Sequence, residues 1–165
     1  MTFSTLDQPV LEFAFECRLL FTRVFAIPNV HNGGFRSAVL VDEGRFEGPR
    51  LRGRAVPNSG GDYAHFRDDD TAVFDARYLL EVDDGTIIYM QNRGYLWGRK
   101  PDAMARLRAW AFEGGPPVAH EDYYLRAQPI FETPKGPHDW MTRHVFVGVG
   151  ERKPDGNLVR YYALT

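Results

Sequence analysis

Asp62 is the first candidate for proton-transfer chemistry. It follows Gly60 and Gly61, and two glycines permit a tight backbone turn that can bring a carboxylate to the mouth of a cavity. The same position also suits an aspartate that only caps the turn. The residues alone leave both interpretations of Asp62 open.

Asp75 and Arg77 form the second candidate group. They lie two residues apart in a predicted strand, so their side chains share one face, and Phe74, Ala76 and Tyr78 share the other. If Asp75 and Arg77 faced the interior, they would have to pair with each other, because an isolated buried ion is very costly. Arg77 would then hold an anionic group of a substrate, oriented by Asp75. An outward salt bridge on a solvated strand is the alternative.

Glu132 is the third candidate, because it stands between Phe131 and Thr133 late in a strand-like segment. A carboxylate beside an aromatic ring can have its pKa raised by desolvation, as a general acid or base requires. From these residues alone, an ordinary surface glutamate is the simpler interpretation.

Four further side chains carry a polar tip on an aromatic or amide group, which suits the lining of an apolar pocket and the orientation of a substrate oxygen. They are Tyr89, Asn92, Trp140 and Tyr162. Most aromatic residues of a barrel belong to its core, so we expect about half of the candidates to touch a cavity.

Metal and cofactor chemistry is not expected. The five histidines show no spacing that would place two of them on one turn or strand face as metal ligands. The single cysteine, Cys17, excludes an internal disulfide and any paired-cysteine motif. The sequence contains no glycine-rich phosphate loop and no nucleophile elbow. We therefore predict that no cofactor is needed and that chelators leave any activity unchanged.

Length and patterning predict the scaffold that must position these candidates. The 165 residues fit a single domain spanning 1–165. Strand-like segments recur at regular spacing, among them 36–41 and 51–56, with a predicted turn at 42–44. The run 83–85, Asp-Asp-Gly, predicts a hairpin. Only 102–112 has helical periodicity, and this helix either plugs a barrel end, packs on a sheet or closes over a site.

These elements predict a mainly β fold, an antiparallel up-and-down, calyx-like β-barrel of about eight strands with one short helix. A parallel sheet would need a helix between successive strands. Closure into a barrel also removes the exposed edges that so many strands would otherwise present.

Charge and hydropathy exclude several classes of partner. Lys and Arg total 20 against 22 Asp and Glu, a net charge of −2, and both signs are scattered, so no footprint for nucleic acid is present. No stretch approaches the roughly 18 apolar residues of a membrane span, and 1–11 lacks the pattern of a signal peptide. We expect a cytoplasmic protein whose partner is a small-molecule substrate. Homo-oligomer formation stays open.

A series of short motifs resembles one known family over most of the chain. The motifs lie at 48–53, 60–63, 75–78, 83–85, 88–89, 92–94, 123–124, 129, 131–133 and 140. In this order and spacing, the chain resembles the domain of unknown function 3237 family. It departs from the family pattern at Tyr63, where members usually carry tryptophan, and at Ile130, where a basic residue is more usual.

The resemblance implies a calyx-like barrel, often encoded beside genes for the breakdown of aromatic or other small organic compounds, with some members acting as cofactor-free lyases. It also shifts the preferred interpretation of Glu132 from a surface residue to an acid or base.

We therefore predict a cofactor-independent lyase or isomerase of the elimination or decarboxylation type, acting on a small aromatic or carbonyl-containing organic acid in the barrel cavity. Asp62 and Glu132 would be its acid and base candidates, Arg77 would hold the anion, and all three would converge on one cavity. The alternative is a non-catalytic binding protein for a small apolar ligand in the same barrel. A third interpretation, an interaction module, predicts no cavity and an exposed apolar patch.

Overall fold

The computed structural model describes residues 8–165, and its strands close on one another. Residues 1–7 lie outside the described residues. They belong to the segment 1–11, for which no signal peptide was expected. The strands are β1 (Leu11–Ile27), β2 (Phe35–Glu47), β3 (Arg52–Ala55), β4 (Gly61–Asp62), β5 (His65–Phe66), β6 (Ala72–Val82), β7 (Ile87–Gly98), β8 (Tyr123–Glu132), β9 (Val145–Lys153) and β10 (Gly156–Leu164). Helix α1 spans Ala103–Phe112, and short 3₁₀ turns span His120–Asp122 and Asp139–Arg143.

The pairing of the strands makes an antiparallel up-and-down barrel. Strands β3, β4 and β5 follow one another in the same position between β2 and β6, so together they act as one interrupted strand. Strand β1 pairs with both β2 and β10, which closes the barrel at eight positions. This closure confirms the predicted barrel of about eight strands. Closure also pairs the strand edges that an open sheet would expose.

The predicted hairpin at 83–85 is also confirmed. The Val82 N–H donates to the Thr86 carbonyl at 2.9 Å, and strands β6 and β7 pair in continuous antiparallel register. Gly85 has φ +85°, a left-handed conformation that favours glycine.

The predicted turn at 42–44 is wrong, because β2 runs through it without interruption. Gly44 serves close packing rather than a turn, since a Cβ there would lie 2.7 Å from the Leu19 side chain and 2.9 Å from the Arg18 carbonyl oxygen. The pairing between β1 and β2 is irregular at this point, because its register shifts on both sides of Phe21.

The two ends of the barrel differ. One end is filled by aromatic rings, with Phe15 packed edge-on against Phe46 and Phe131 at centroid distances of 5.8 and 6.0 Å. The turn Asp139–Arg143 adds the buried Trp140 and Met141 to this end.

The opposite end is covered by α1. The predicted helix at 102–112 is confirmed in position, and its residues Met104 and Leu107 face a cavity in the barrel. Arg106 ties the helix to the buried Asp122 through a salt bridge of 2.8 Å. Within residues 8–165, no helix is both long and apolar enough to cross a membrane.

Candidate active site

A cavity of about 440 Å³ lies inside the barrel beneath α1. Its walls are mainly apolar and include Phe35, Phe66, Phe74 and Leu96. A few polar side chains also line it, a combination typical of small-molecule sites. These polar side chains are Ser37, Asp62, Tyr78, Asn92, Arg108, Arg126, Arg152 and Asn157.

A larger hollow of about 700 Å³ lies on the outer surface, where it is bordered by Phe13 and charged side chains. Its charges are largely paired with one another, as in the Arg160–Glu16 and Arg52–Asp83 salt bridges. A ligand would have to displace these pairs in contact with water. We therefore place the candidate site in the internal cavity.

Strand register directs Asp62 into the cavity. Asp62 lies opposite Val39 of β2 and Ala76 of β6, and directly opposed residues point to the same side of a sheet. Val39 and Ala76 both line the cavity. The half-buried Asp62 carboxylate also accepts a hydrogen bond from the Asp75 N–H at 3.0 Å. The aspartate is therefore a cavity residue anchored to the neighbouring strand.

The two glycines before Asp62 permit a close approach of backbones. A Cβ on Gly60 would lie 1.8 Å from the Arg77 carbonyl oxygen, and one on Gly61 would lie 2.5 Å from the Val39 carbonyl oxygen. Any side chain at either position would push β4 away from its neighbours. The glycines thus hold Asp62 against β2 and β6.

Burial raises the pKa of Asp62 from its ordinary value of 3.8 to about 7. The hydrogen bond from the Asp75 N–H and the positive charge of Arg152 oppose this rise, but desolvation outweighs them. A carboxyl group with a pKa near neutrality can accept a proton and return it at physiological pH.

Arg152 brings a positive charge into the same cavity from near the end of β9. Its Nη1 donates to Asn157 Oδ1 at 2.9 Å. Among residues 8–165, no carboxylate oxygen pairs with its guanidinium within 4.0 Å. Burial lowers the pKa of Arg152, yet an arginine side chain stays protonated in proteins. Arg152 is half-buried and has no carboxylate partner within this distance, so it is suited to hold an anionic ligand.

Asn92, Tyr161 and Tyr78 form a group of polar side chains within the cavity wall. Asn92 lies opposite Ala76 on the same inner face as Asp62. Its Nδ2 donates to the Tyr161 hydroxyl at 2.9 Å, and the Tyr78 hydroxyl interacts with the same group. The Asn92 Oδ1 and Tyr78 Oη atoms are fully buried, so they lie within the wall rather than at the surface of the cavity.

The same register places Asp75 and Arg77 on the outside. Because Ala76 faces the cavity, its two neighbours in β6 face solvent. Arg77 Nη2 lies 3.2 Å from Asp75 Oδ2, and 57% of the Arg77 side chain is exposed. Of the two alternatives for Asp75 and Arg77, the structure therefore contains the outward salt bridge.

Glu132 also lies on the outer face. The neighbouring Phe131 points into the packed end of the barrel, so Glu132 points outward, where it is exposed opposite Tyr89 of β7. The expectation that Asp62, Arg77 and Glu132 converge on one cavity is therefore wrong. Only Asp62 reaches the cavity, because alternation along a strand sends the other two side chains outward.

Asn92 alone of the four polar-tipped candidates lines the cavity. Tyr89 is half-buried on the outer face of β7. Tyr162 packs edge-on against Phe13 at 5.8 Å and borders the outer hollow. Trp140 is buried at the filled end, with the Arg50 guanidinium 3.9 Å from its ring centroid. None of these three aromatic residues lines the cavity.

Sequence reasoning missed Arg152 and, as a cavity residue, Tyr78. A signal for Arg152 exists in β9, where Gly148, Gly150 and Arg152 alternate on the inner face. The two glycines face a packed interior, because a Cβ on Gly150 would lie 2.6 Å from the Leu125 side chain. Alternation along the strand then predicts that Arg152 faces the same interior.

The pKa of Asp62 predicts how pH changes stability. The folded-state pKa of about 7 lies above the value of about 3.9 for an unfolded chain. Between these values the unfolded chain releases a proton that the folded protein keeps, so stability falls as pH rises from about 4 to 7. Asp62→Asn cannot ionise and can still accept the Asp75 N–H. Its free energy of unfolding should therefore exceed that of the wild type increasingly with pH, by at most about 4 kcal/mol, less any screening by cavity water.

Urea unfolding at pH 4.5, 6 and 8 measures this difference. Glu43→Gln, on the exposed outer side of β2, is the matched control and should show no such trend. A stability difference for Asp62→Asn that is constant across this range would contradict the raised pKa.

Fold and cavity together define a class of protein: a closed antiparallel β-barrel whose mainly apolar interior holds a carboxyl group and an unpaired cation. The chain belongs to the family described as protein of unknown function (DUF3237), whose model matches residues 9–164. The resemblance inferred from the short motifs is therefore confirmed.

Curated relatives and solved structures agree with this membership. A UPF0311 protein from Clostridium acetobutylicum is 31% identical over 80% of this chain and 79% of its own length. A β-barrel-like protein from Acinetobacter baumannii has a TM-score of 0.81 at 28% identity, covering 98% of this chain and 99% of the other. An enzyme from Penicillium herquei has a TM-score of 0.72 at 16% identity, and the match covers 99% of this chain and 100% of the other. At this identity the likeness concerns the fold alone.

Proposed function

We propose that the protein is a cofactor-independent lyase or isomerase that acts on a small aromatic or carbonyl-containing organic acid in the barrel cavity. One observation carries this proposal: Asp62, with a pKa of about 7, and the unpaired Arg152 line the same mainly apolar cavity. The first supplies a group that exchanges protons at neutral pH, and the second supplies a charge for an anion.

Proton abstraction next to a carbonyl is the step that this pair fits best. The Asp62 carboxylate takes a proton from the carbon beside the carbonyl group. The electron pair of that C–H bond forms a carbon–carbon double bond, and the π pair of the carbonyl group moves to its oxygen, which gives an enolate. The Arg152 guanidinium stabilises the negative charge. It does so more strongly in an apolar cavity than in water, because the effective dielectric constant is lower.

The second half of the reaction returns the proton. Protonated Asp62 gives it to a different carbon in an isomerisation, or to a leaving group that departs as the enolate collapses in an elimination. Asp62 acts first as base and then as acid, so the carboxylate is regenerated at the end. A second carboxylate, the role expected for Glu132, is not required.

Helix α1 supports this chemistry by shielding the cavity. Met104 and Leu107 face the cavity from the helix, and the cavity wall also contains Phe35 and Phe66, whose rings stack at a centroid distance of 4.3 Å. Exclusion of water strengthens the interaction of Arg152 with an enolate and protects the enolate from stray protonation.

Non-catalytic binding is the second candidate, and the predominance of apolar walls favours it. It differs from catalysis in what the ionisable groups must do, because a carrier can hold a ligand without moving a proton. The barrel fold accommodates catalysis at least once among similar structures, since the Penicillium herquei protein is called an enzyme.

Incubation in D₂O with a panel of aromatic acids and hydroxy-carbonyl compounds separates the two candidates. A lyase or isomerase should exchange a carbon-bound hydrogen for deuterium or convert the compound, and mass spectrometry detects both. Asp62→Asn should abolish the exchange without loss of fold. Compounds that bind without exchange or conversion would favour the carrier.

Arg77→Ala and Glu132→Gln should leave the deuterium-exchange rate within about twofold of the wild type, since both side chains lie on the outer surface in contact with water. The same assay measures both variants beside Asp62→Asn. A loss of exchange in either variant comparable to that in Asp62→Asn would contradict the placement of the site inside the barrel.

A further inference from the structure

We propose that Arg108 of α1 is a second anion-binding residue, placed at the mouth of the cavity, and that the ligand is an organic acid with two anionic groups joined by an apolar skeleton. Arg152 holds one of these groups beside Asp62, and Arg108 holds the other. This inference rests on the proposed function, because it names the substrate class of the same cavity. It is carried by the exposure and the charge of the residues that line the cavity.

The cavity runs from the packed interior of the barrel to an opening at its surface. Ala76 and Tyr78 line its inner part and are 7% and 1% exposed. Val24 of β1 and Phe112 of α1 also line it, but they are 42% and 61% exposed. The cavity therefore opens beside Val24 and Phe112, where the end of β1 and the end of α1 both contribute to its wall.

Arg108 lies at this opening. It is exposed and lines the cavity. On α1 it shares a face with Met104 and Ala111, which line the cavity as well. Phe112 follows about one turn later along the helix, so the guanidinium of Arg108 is positioned to contact a ligand group that reaches the mouth.

The Arg108 cation has no counter-ion in the part of the chain that the structure describes. Among residues 8–165, no carboxylate oxygen lies within 4.0 Å of its guanidinium nitrogens. The other arginine of α1, Arg106, is paired with Asp102 at 3.1 Å and with Asp122 at 2.8 Å. Helix α1 thus has one arginine that fixes it to the barrel and one that is available to a ligand.

The cavity lining as a whole carries an excess of positive charge. Among the described residues that line it, three are arginines and Asp62 is the one carboxyl group. Arg126 donates to the Leu125 carbonyl oxygen at 2.9 Å and lies over an aromatic ring of its own strand, so it is committed to β8. Arg152 and Arg108 remain for the ligand.

Two cations at different depths favour a ligand with two anionic groups. Arg152 is half-buried and its charge acts on Asp62, so it holds the anion at the reacting end. Arg108 is exposed and meets the anion that reaches the opening. The rest of the wall is mainly apolar, and Phe74 and Leu96 can contact a ring. The ligand class is therefore a dianionic organic acid with an apolar skeleton.

Calorimetric binding of matched acids to the wild-type protein at low ionic strength tests the inference. The probes are benzoate and phenylpyruvate, their derivatives with a second carboxylate at the meta or para position of the ring, and the methyl esters of that second carboxylate. At least one diacid should bind about fivefold more tightly than both its parent monoacid and its ester. The net charge of −2 gives the protein as a whole no attraction for a dianion. Equal binding of the three types, tighter binding of the esters, or no binding of any diacid at millimolar concentration would overturn the proposal.

Arg108→Gln assigns the preference to its residue, and glutamine has a helix propensity close to that of arginine. The variant should reduce the diacid preference to about twofold or less. Lys135→Gln removes the same charge from an exposed residue that does not line the cavity, so it is the matched control and should keep the full preference. Arg152→Met should weaken the binding of monoacids and diacids alike. A preference that persists in Arg108→Gln, or that Lys135→Gln lowers equally, would overturn the assignment.

Deuterium exchange in the phenylpyruvate series distinguishes this inference from the proposed function. A diacid preference that depends on Arg108, without exchange that depends on Asp62, would support the second anion site and contradict catalysis. Exchange that depends on Asp62 and has equal kcat/KM for monoacids and diacids would support catalysis and contradict the second anion site.

Discussion

Replacing Asp62 by Asn should reduce turnover at least about a hundredfold, because it removes the side chain that accepts and returns the proton. The fold should persist, since Asn Oδ1 can still accept the Asp75 N–H that now bonds to Asp62. The initial rate of deuterium exchange with an active compound measures the loss. Far-ultraviolet circular dichroism checks that the variant is folded.

The pH dependence of the wild type provides a second test of Asp62. A carboxyl group that acts first as a base must be ionised in the free enzyme. The value of kcat/KM should therefore rise with pH and level off above the Asp62 pKa of about 7. A rate that falls as pH rises through 7 would contradict the role of base. A full rate in Asp62→Asn would exclude the residue altogether.

Replacing Arg152 by Met should weaken the binding of anionic ligands about a hundredfold and reduce turnover by at least as much. The substitution removes a cavity cation that interacts with Asp62 and has no carboxylate within salt-bridge distance among the described residues. Stability should change little, because Arg152 is half-buried and no salt bridge is lost. Calorimetry with an anionic ligand and urea unfolding measure the two effects.

Arg152→Met should also move the pH profile. The charge of Arg152 lowers the pKa of Asp62, so its removal should shift the midpoint of any residual activity above pH 7. Arg160→Met, on the outer face of β10, removes an exposed salt bridge and serves as the matched control. Unaltered anion binding in Arg152→Met would contradict the proposed anion site.

Local sequence patterns determined most of the architecture. The hairpin at 83–85 and the helix at 102–112 depend on turn chemistry and on helical spacing within short segments, so both were predictable. Barrel closure followed from the number of strands, because their edges require partners. The turn predicted at 42–44 failed because Gly44 is required by Leu19 of the neighbouring strand, a contact between segments distant in sequence.

The composition of the site was predictable only in part. Alternation in β6 showed that Asp75 and Arg77 share one face, but it did not show whether that face was inside. Asp62 was singled out from its two glycines, although their role is a close approach to Arg77 and Val39 rather than a tight turn.

Tertiary structure decided which side chains meet. Strand register set Ala76 and Asp62 opposite each other on the inner face, which necessarily turned Arg77 outward. Closure of the barrel then brought Arg152, near the end of β9, to the cavity that Asp62 lines. Register and closure depend on the packing of the whole core rather than on any single segment. For this reason Arg152, a residue that no local motif marked, lines the same cavity as Asp62.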